Sequence, residues 1–159
     1  MAKKFHTVTV TPTISTAGTS ANEILFNLTE IPQAVYHHGG AAKLVSITVQ
    51  DKGDDLNTDF ALYFFKSNAG GDLGILGGGI SISDADMELN KPLGVVHVQG
   101  IAASDPGDYF AGLLTTLTDV NLIVEAEPGT ASIYVGAKAT NVQTKEAEEL
   151  VFTFGVEIL

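Results

Sequence analysis

The sequence predicts an all-β chain: an antiparallel two-sheet β-sandwich, jelly-roll-like, with about eight or nine short strands and one short helix near residues 83–90. Three observations carry this. Apolar and polar residues alternate with period two from one end to the other, as they do in half-buried strands. Breaker clusters fall between the alternating runs, at Lys52-Gly53-Asp54-Asp55, Asn68-Ala69-Gly70-Gly71-Asp72, Gly77-Gly78-Gly79, Ser104-Asp105-Pro106-Gly107 and Glu127-Pro128-Gly129-Thr130. Only one stretch carries helix signals. An immunoglobulin-like sandwich is the alternative, but such domains are usually nearer about 100 residues and keep a core tryptophan, which this chain lacks.

The first strand is expected at 5–11, where Thr7-Val8-Thr9-Val10-Thr11 alternates. Residues 11–21 are the least patterned stretch and read as an extended arm or a long loop. Strands follow at 22–28, at 43–50 and at 58–66, the last with Phe60, Leu62 and Phe64 inward and Ala61, Tyr63 and Phe65 on the opposite side. Ser83 is placed to cap a helix: acids fill its first turn, Asp86 stands three residues on as a partial capping box, and Asn90-Lys91-Pro92 ends it. Four more strands are expected at 93–99, 109–115, 120–126 and 131–139. Between the last two, Pro128-Gly129 suits a type II turn, because proline fixes φ and glycine accepts positive φ. A hairpin joining 120–126 to 131–139 is therefore expected. The final strand, 150–158, places Leu150, Phe152, Phe154, Val156 and Ile158 on one face. Its aromatic row predicts a central position in a sheet.

With 159 residues the chain is expected to form one sandwich domain over residues 22–159, preceded by an N-terminal strand or arm over residues 1–21. A chain of this size buries roughly 68–70% of its extended surface and needs no staples. It has no cysteine, which excludes disulfide scaffolds, thiolate zinc sites and cysteine nucleophiles. Nineteen acids face eight basic residues, all lysine, for a net charge of −11. Phosphate backbones are held by clustered lysine and arginine, so nucleic acid is not an expected partner. Neither is a membrane, since no run of about 18 apolar residues occurs. Behind Lys3-Lys4 there is no apolar signal region, so synthesis in a cytoplasm is expected.

Reactive chemistry finds little support. The acids Asp51, Asp54, Asp55 and Asp59 lack EF-hand spacing and enclose Lys52, so they read as a solvated loop rather than a calcium site. Asp84, Asp86 and Glu88 read as complements to a helix dipole. His37 and His38 are neighbours that point apart in an extended segment, and His6 and His97 are isolated, so no metal is expected. Gly77-Gly78-Gly79 is followed by neither Gly-Lys-Ser/Thr nor a long helix, as a phosphate cradle requires. There is no Gly-x-Ser-x-Gly elbow, and the Asn27-Leu28-Thr29 acceptor pattern reads as accidental without an export signal. No enzyme, catalytic residue or cofactor is expected.

The order of segments carries a further clue. Leu44-Val45-Ser46-Ile47-Thr48-Val49-Gln50-Asp51 and Phe60-Ala61-Leu62-Tyr63-Phe64-Phe65 flank an acidic turn. Ser83-Asp84-Ala85-Asp86 and Pro92-Leu93-Gly94-Val95-Val96 follow. Then come Leu122-Ile123-Val124-Glu125-Ala126, Pro128-Gly129-Thr130, Ser132-Ile133-Tyr134-Val135-Gly136-Ala137 and the closing strand. Over residues 22–159 this succession resembles small β-sandwich virion structural proteins of tailed, particularly marine, bacteriophages. The resemblance implies a capsid decoration (cement) protein on the virion surface that binds and stabilises the major capsid protein lattice, with no catalytic residues.

A homo-oligomer is expected, a trimer first, to match local threefold positions. Partner contact is expected from the Thr-rich N-terminal segment, with Phe5, Val8, Val10 and Ile14 as its apolar residues. On that reading, removing residues 1–20 leaves the sandwich folded and abolishes capsid binding. The alternatives are a tail or neck component, or a carbohydrate-binding, adhesive module using Tyr36, Tyr63, Tyr109 or Tyr134 as platforms.

Overall fold

The computed structural model describes residues 4–53, 59–99 and 113–159. In these residues nine strands and one helix follow in the order β1 (Phe5–Val10), β2 (Ile24–Ile31), β3 (Ala41–Asp51), β4 (Phe60–Phe65), α1 (Asp84–Asn90), β5 (Pro92–Val98), β6 (Leu113–Leu117), β7 (Leu122–Glu125), β8 (Ile133–Ala139) and β9 (Leu150–Ile158). Every pairing is antiparallel, and the pairings are nested. β4 pairs with β5, β3 with both β6 and β7, β2 with β8, and β1 with β9. Successive pairs alternate between layers, giving sheet A in the order β1-β9-β3-β6, with β7 also on β3, and sheet B in the order β2-β8-β4-β5. A long antiparallel ribbon rolled upon itself has this connectivity, and that is a jelly roll. β6 and β7 share β3 as partner and are separated by residues 118–121, where Asn121 takes φ 49°.

The core lies between the sheets and is built from the alternating residues. Leu44, Ile47, Val49, Phe152, Phe154 and Val156 face it from sheet A, and Phe26, Phe60, Leu62, Phe64, Ile133 and Val135 from sheet B. Phe152 spans the gap: its ring centroid lies 5.3 Å from that of Phe26 and 5.8 Å from that of Phe60. β9 is an interior strand of sheet A, flanked by β1 and β3, as its aromatic row predicts.

One expected pairing is corrected. Thr130 N–H donates to the Glu127 carbonyl at 3.1 Å and Gly129 takes φ 96°, so the Pro128-Gly129 turn forms. It does not close a hairpin. β7 belongs to sheet A and β8 to sheet B, so the turn carries the chain across the edge of the sandwich. Val124 and Ile133 thus enter the same core from opposite layers. Alternation alone is the same for either outcome, because it records which face is apolar and not which sheet owns it.

The outer face of sheet B is covered by the chain between β4 and β5. Leu73 is buried there with Ile24 and Phe65, and Leu76, Ile82 and Met87 pack against them. This is why Phe65, assigned to the outward side of its strand, is nevertheless buried. α1 starts as expected: Ser83 Oγ accepts from Asp86 N–H at 3.1 Å and donates to Asp86 Oδ2 at 2.7 Å. It ends at Lys91, in the left-handed region, and β5 begins at once.

Two asparagines clamp the excursion. Asn27 Nδ2 donates to the Gly74 carbonyl at 2.8 Å, and its Oδ1 accepts from Leu73 N–H at 3.1 Å. Asn90, fully buried, accepts from Gly70 N–H at 2.8 Å and donates to the Gly71 carbonyl at 2.9 Å. A Cβ at Gly70 would sit 1.9 Å from the Asp86 carbonyl oxygen, so the close approach needs glycine.

The outer face of sheet A has no such cover among the described residues. Across it Thr9, Thr153, Thr48 and Thr116 stand in register on four neighbouring strands. The Thr9 and Thr153 hydroxyls are 3.2 Å apart and those of Thr48 and Thr116 3.1 Å. A second row runs Phe5, Glu157, Lys43, Ile123.

Residues 5–21 are seated within this architecture. β1 is a full strand of sheet A, Ile14 bridges to Phe26, and Thr19 exchanges backbone hydrogen bonds with Gln143 at 2.7 and 2.9 Å. Buried apolar area holds the segment down: Val10 and Ile14 are only 9% and 3% exposed.

Candidate functional site

A free β edge and the pocket beside it make up the candidate site. β1 pairs with β9 on one side and with no strand on the other among the described residues. Its six residues, Phe-His-Thr-Val-Thr-Val, contain no lysine, acid or proline, and its register with β9 runs one for one without a bulge. Sheet edges are normally blunted by such devices. The other edges carry them: β5 opens on Pro92, β2 is bulged and bridged by Ile14, and the β6–β7 edge is interrupted. β1 is therefore the edge best suited to accept another extended chain.

Of the four residues expected to meet a partner, the structure leaves one on the surface. Phe5 is 60% exposed on the outer face of sheet A. Val8 is half-buried against the core, and Val10 and Ile14 belong to the core itself. In this fold Val10 and Ile14 already serve the chain's own interior.

Beside the start of β1 lies a pocket of about 620 Å³ lined by His6, Thr7, Gln33, Val35, Tyr36, His38, Ala131 and Ile158. The turn after β2 supplies its far wall, with Gln33 held at φ 52°. The His6 Nε2–H donates to the Gln33 carbonyl at 2.9 Å, which leaves Nδ1 as the acceptor of the neutral ring. Tyr36 is 60% exposed; Lys4 Nζ stands 5.5 Å from its ring centroid, and the His37 ring meets it at 4.4 Å. His6 and His38, far apart in sequence, thus share one pocket. His97 lies elsewhere, in a second pocket of about 500 Å³ with Val95, Thr116 and Asp119.

The tyrosines separate clearly. Tyr63 and Tyr134 pack against the covered face of sheet B. Burial, aided by the nearby charge of Glu30, raises the Tyr134 hydroxyl above its ordinary pKa. Tyr109 lies outside the described residues. Among the described tyrosines Tyr36 is the exposed one.

At the end of the sandwich where Asp51 of β3 pairs with Leu150 of β9 lies a buried charged cluster that residue spacing does not reveal. Lys145 Nζ lies 2.6 Å from Asp51 Oδ2 and 3.4 Å from Glu149 Oε1, with all three side chains buried. Glu146 N–H donates to Glu149 Oε2, and Gly53 N–H donates to Asp51 Oδ1 at 3.0 Å. Burial raises the Glu149 carboxyl above its ordinary range, and the adjoining Asp51 carboxylate adds to that. The only signal in the sequence was the Lys145/Glu149 spacing of four, which suits a surface pair equally well. Of the acids weighed for calcium, Asp51 is thus engaged by an ammonium, and Asp54 and Asp55 lie outside the described residues. Among the described residues no group of three or more histidine, cysteine, aspartate and glutamate side chains is arranged to hold a metal. No helix there is long and apolar enough to cross a membrane.

No protein-family model and no curated protein sequence matches the chain. Among solved structures it is similar to a chain from the X-ray structure of tomato aspermy virus, over 98% of this chain and 76% of that one, at 13% identity and a TM-score of 0.45. The jelly-roll assignment rests on the strand pairing itself.

Proposed function

We propose that the chain is a non-enzymatic structural protein of a virus particle: a decoration protein that binds and stabilises the major capsid protein lattice of a tailed bacteriophage. It sits on the outside of the head, in trimers at local threefold positions. The observation that carries this reading is the edge of β1, an uncharged, unbulged strand with a free side and an exposed Phe5 at its start. Such an edge gains main-chain hydrogen bonds and apolar contact when an extended segment of a partner adds to it. Two further features fit a passive building block. Sheet A presents a broad threonine-lined outer face, and the buried ionic cluster lies closed to substrate.

The test is co-sedimentation with empty shells of the cognate phage. Phe5→Asp and Thr9→Lys place charges on exposed positions of the edge strand without touching the core, and each is expected to abolish binding while far-UV and near-UV spectra stay unchanged. Undiminished binding by both variants removes the edge from the proposal. Absence of the chain from purified particles, by mass spectrometry, overturns the virion role.

A further inference from the structure

The pocket beside β1 has a composition unlike the rest of the molecule. In a chain with 19 acids, no carboxylate among the described residues lines it. Val35, Ala131 and Ile158 give it apolar lining, while Gln33, His6 and His38 add amide and imidazole groups. Tyr36 stands at its side with most of its ring in solvent. Its amphipathic ring suits a ligand that is apolar on one face and polar at its rim.

We infer that this pocket binds a pyranose unit of a glycan. A pyranose offers a C–H face to an aromatic ring and a rim of hydroxyls that both donate and accept. Each wall group answers that pattern. His6 Nδ1 accepts, since Nε2–H is committed to the Gln33 carbonyl. The Gln33 amide can do either, and His38 adds a second imidazole. Lys4, 5.5 Å from the Tyr36 centroid, steadies the ring by a cation–π contact. The volume of about 620 Å³ falls in the usual range for small-ligand sites, roughly 300–1,000 Å³.

Other ligand classes fit less well. Two imidazoles without a carboxylate make a poor metal site. Among the described residues a single lysine stands beside the pocket, too little charge for a phosphate-led ligand. The inference does not depend on the virion reading, because it concerns the isolated chain.

The experiment is titration of the ¹⁵N-labelled full chain with methyl glycosides of glucose, galactose, mannose and N-acetylglucosamine, with sialyllactose and inorganic phosphate as separate arms. At least one sugar is expected to shift the amides of residues 6, 7, 33–38 and 131 in a saturable way. Tyr36→Ala is expected to weaken that binding roughly tenfold, the size of one aromatic contact, and Tyr36→Phe to retain it. The Tyr36→Ala spectrum itself reports whether the fold persists, which the exposure of the side chain favours. Three results overturn the inference: no shift with any sugar, shifts that survive Tyr36→Ala unchanged, or equal shifts with phosphate alone. Failure of shell binding in the edge variants leaves this titration unaffected, so the two readings fail separately.

Discussion

Lys145 and Asp51 meet 2.6 Å apart with both side chains removed from solvent, although 94 positions separate them in the chain. The contact ties the segment entering β9 to the last residue of β3, at the end of the two most extensively paired strands of sheet A. Taking two charges out of water is costly, and their attraction offsets that cost only while both partners stay in place.

Lys145→Met follows directly from this. The methionine fills similar volume but leaves the Asp51 and Glu149 carboxyls without their ammonium. A loss of about 3–5 kcal/mol is expected in urea unfolding at neutral pH. A loss below about 1 kcal/mol would mean that the pair is better hydrated than its burial implies.

Glu149 gives the cluster a pH dependence of definite sign. Its carboxyl is raised in the folded state above the ordinary value of 4.5, first by burial and then by Asp51. The folded state therefore favours the protonated form. Stability from this group is fully present below about pH 4.5 and is lost as pH rises through the elevated folded pKa. Glu149→Gln imitates the protonated form, so it is expected to be more stable than the parent chain at neutral pH. The gap should close on acidification towards pH 4. Unfolding curves across that range decide it, and a gap that widens on acidification contradicts the assignment.

Phe152 touches rings from both layers, Phe26 and Phe60 across the core and Phe154 along its own strand. Phe152→Ala opens a cavity between the sheets. A loss of about 3–5 kcal/mol is expected, a large share of the roughly 5–15 kcal/mol that holds a domain together. Phe152→Leu should cost clearly less.

Asn90→Ala leaves Gly70 N–H and the Gly71 carbonyl without their partner beneath α1. A cost of about 1–3 kcal/mol is expected. Faster amide exchange should be confined to residues 66–91, because the clamp holds the excursion and not the sandwich. Exchange that rises equally in β3 and β9 would show the excursion to be part of the main cooperative unit.

Removal of residues 1–20 is expected to destabilise the fold, contrary to the arm expectation. It strips β1 from β9 and takes away Val10 and Ile14, each worth roughly 1.5–3 kcal/mol of burial. A truncated chain that unfolds at the same urea concentration as the full one would restore the arm description. Point changes on the exposed edge are for this reason the cleaner test of docking.

Much of the candidate site was visible in the sequence only in pieces. The β1 strand follows from its Thr-Val alternation, while the outward position of Phe5 comes from the sheet it joins. Tyr36, His6 and His38 each stand out as residues but not as neighbours, because the turn after β2 brings them together only once β1 has paired with β9. The Lys145 cluster gave no usable signal, since a lysine in a polar run reads as solvated until its surroundings are known.

What the amino-acid order determined by itself is local: where most of the strands lie (the one expected at 109–115 falls largely outside the described residues), which face of each is apolar, the Ser83 cap with its Asp86 partner, and the positive φ of Gly129. Each depends on residues within a few positions of one another, so hydrogen bonding and steric preference over that short span settle it. The tertiary structure decided which layer receives each strand, why the Pro128-Gly129 turn joins two sheets, and why Val10 and Ile14 are interior. Those outcomes depend on closing long loops so that distant apolar faces share one dry space. A period of two says that a face must be buried and leaves open against what.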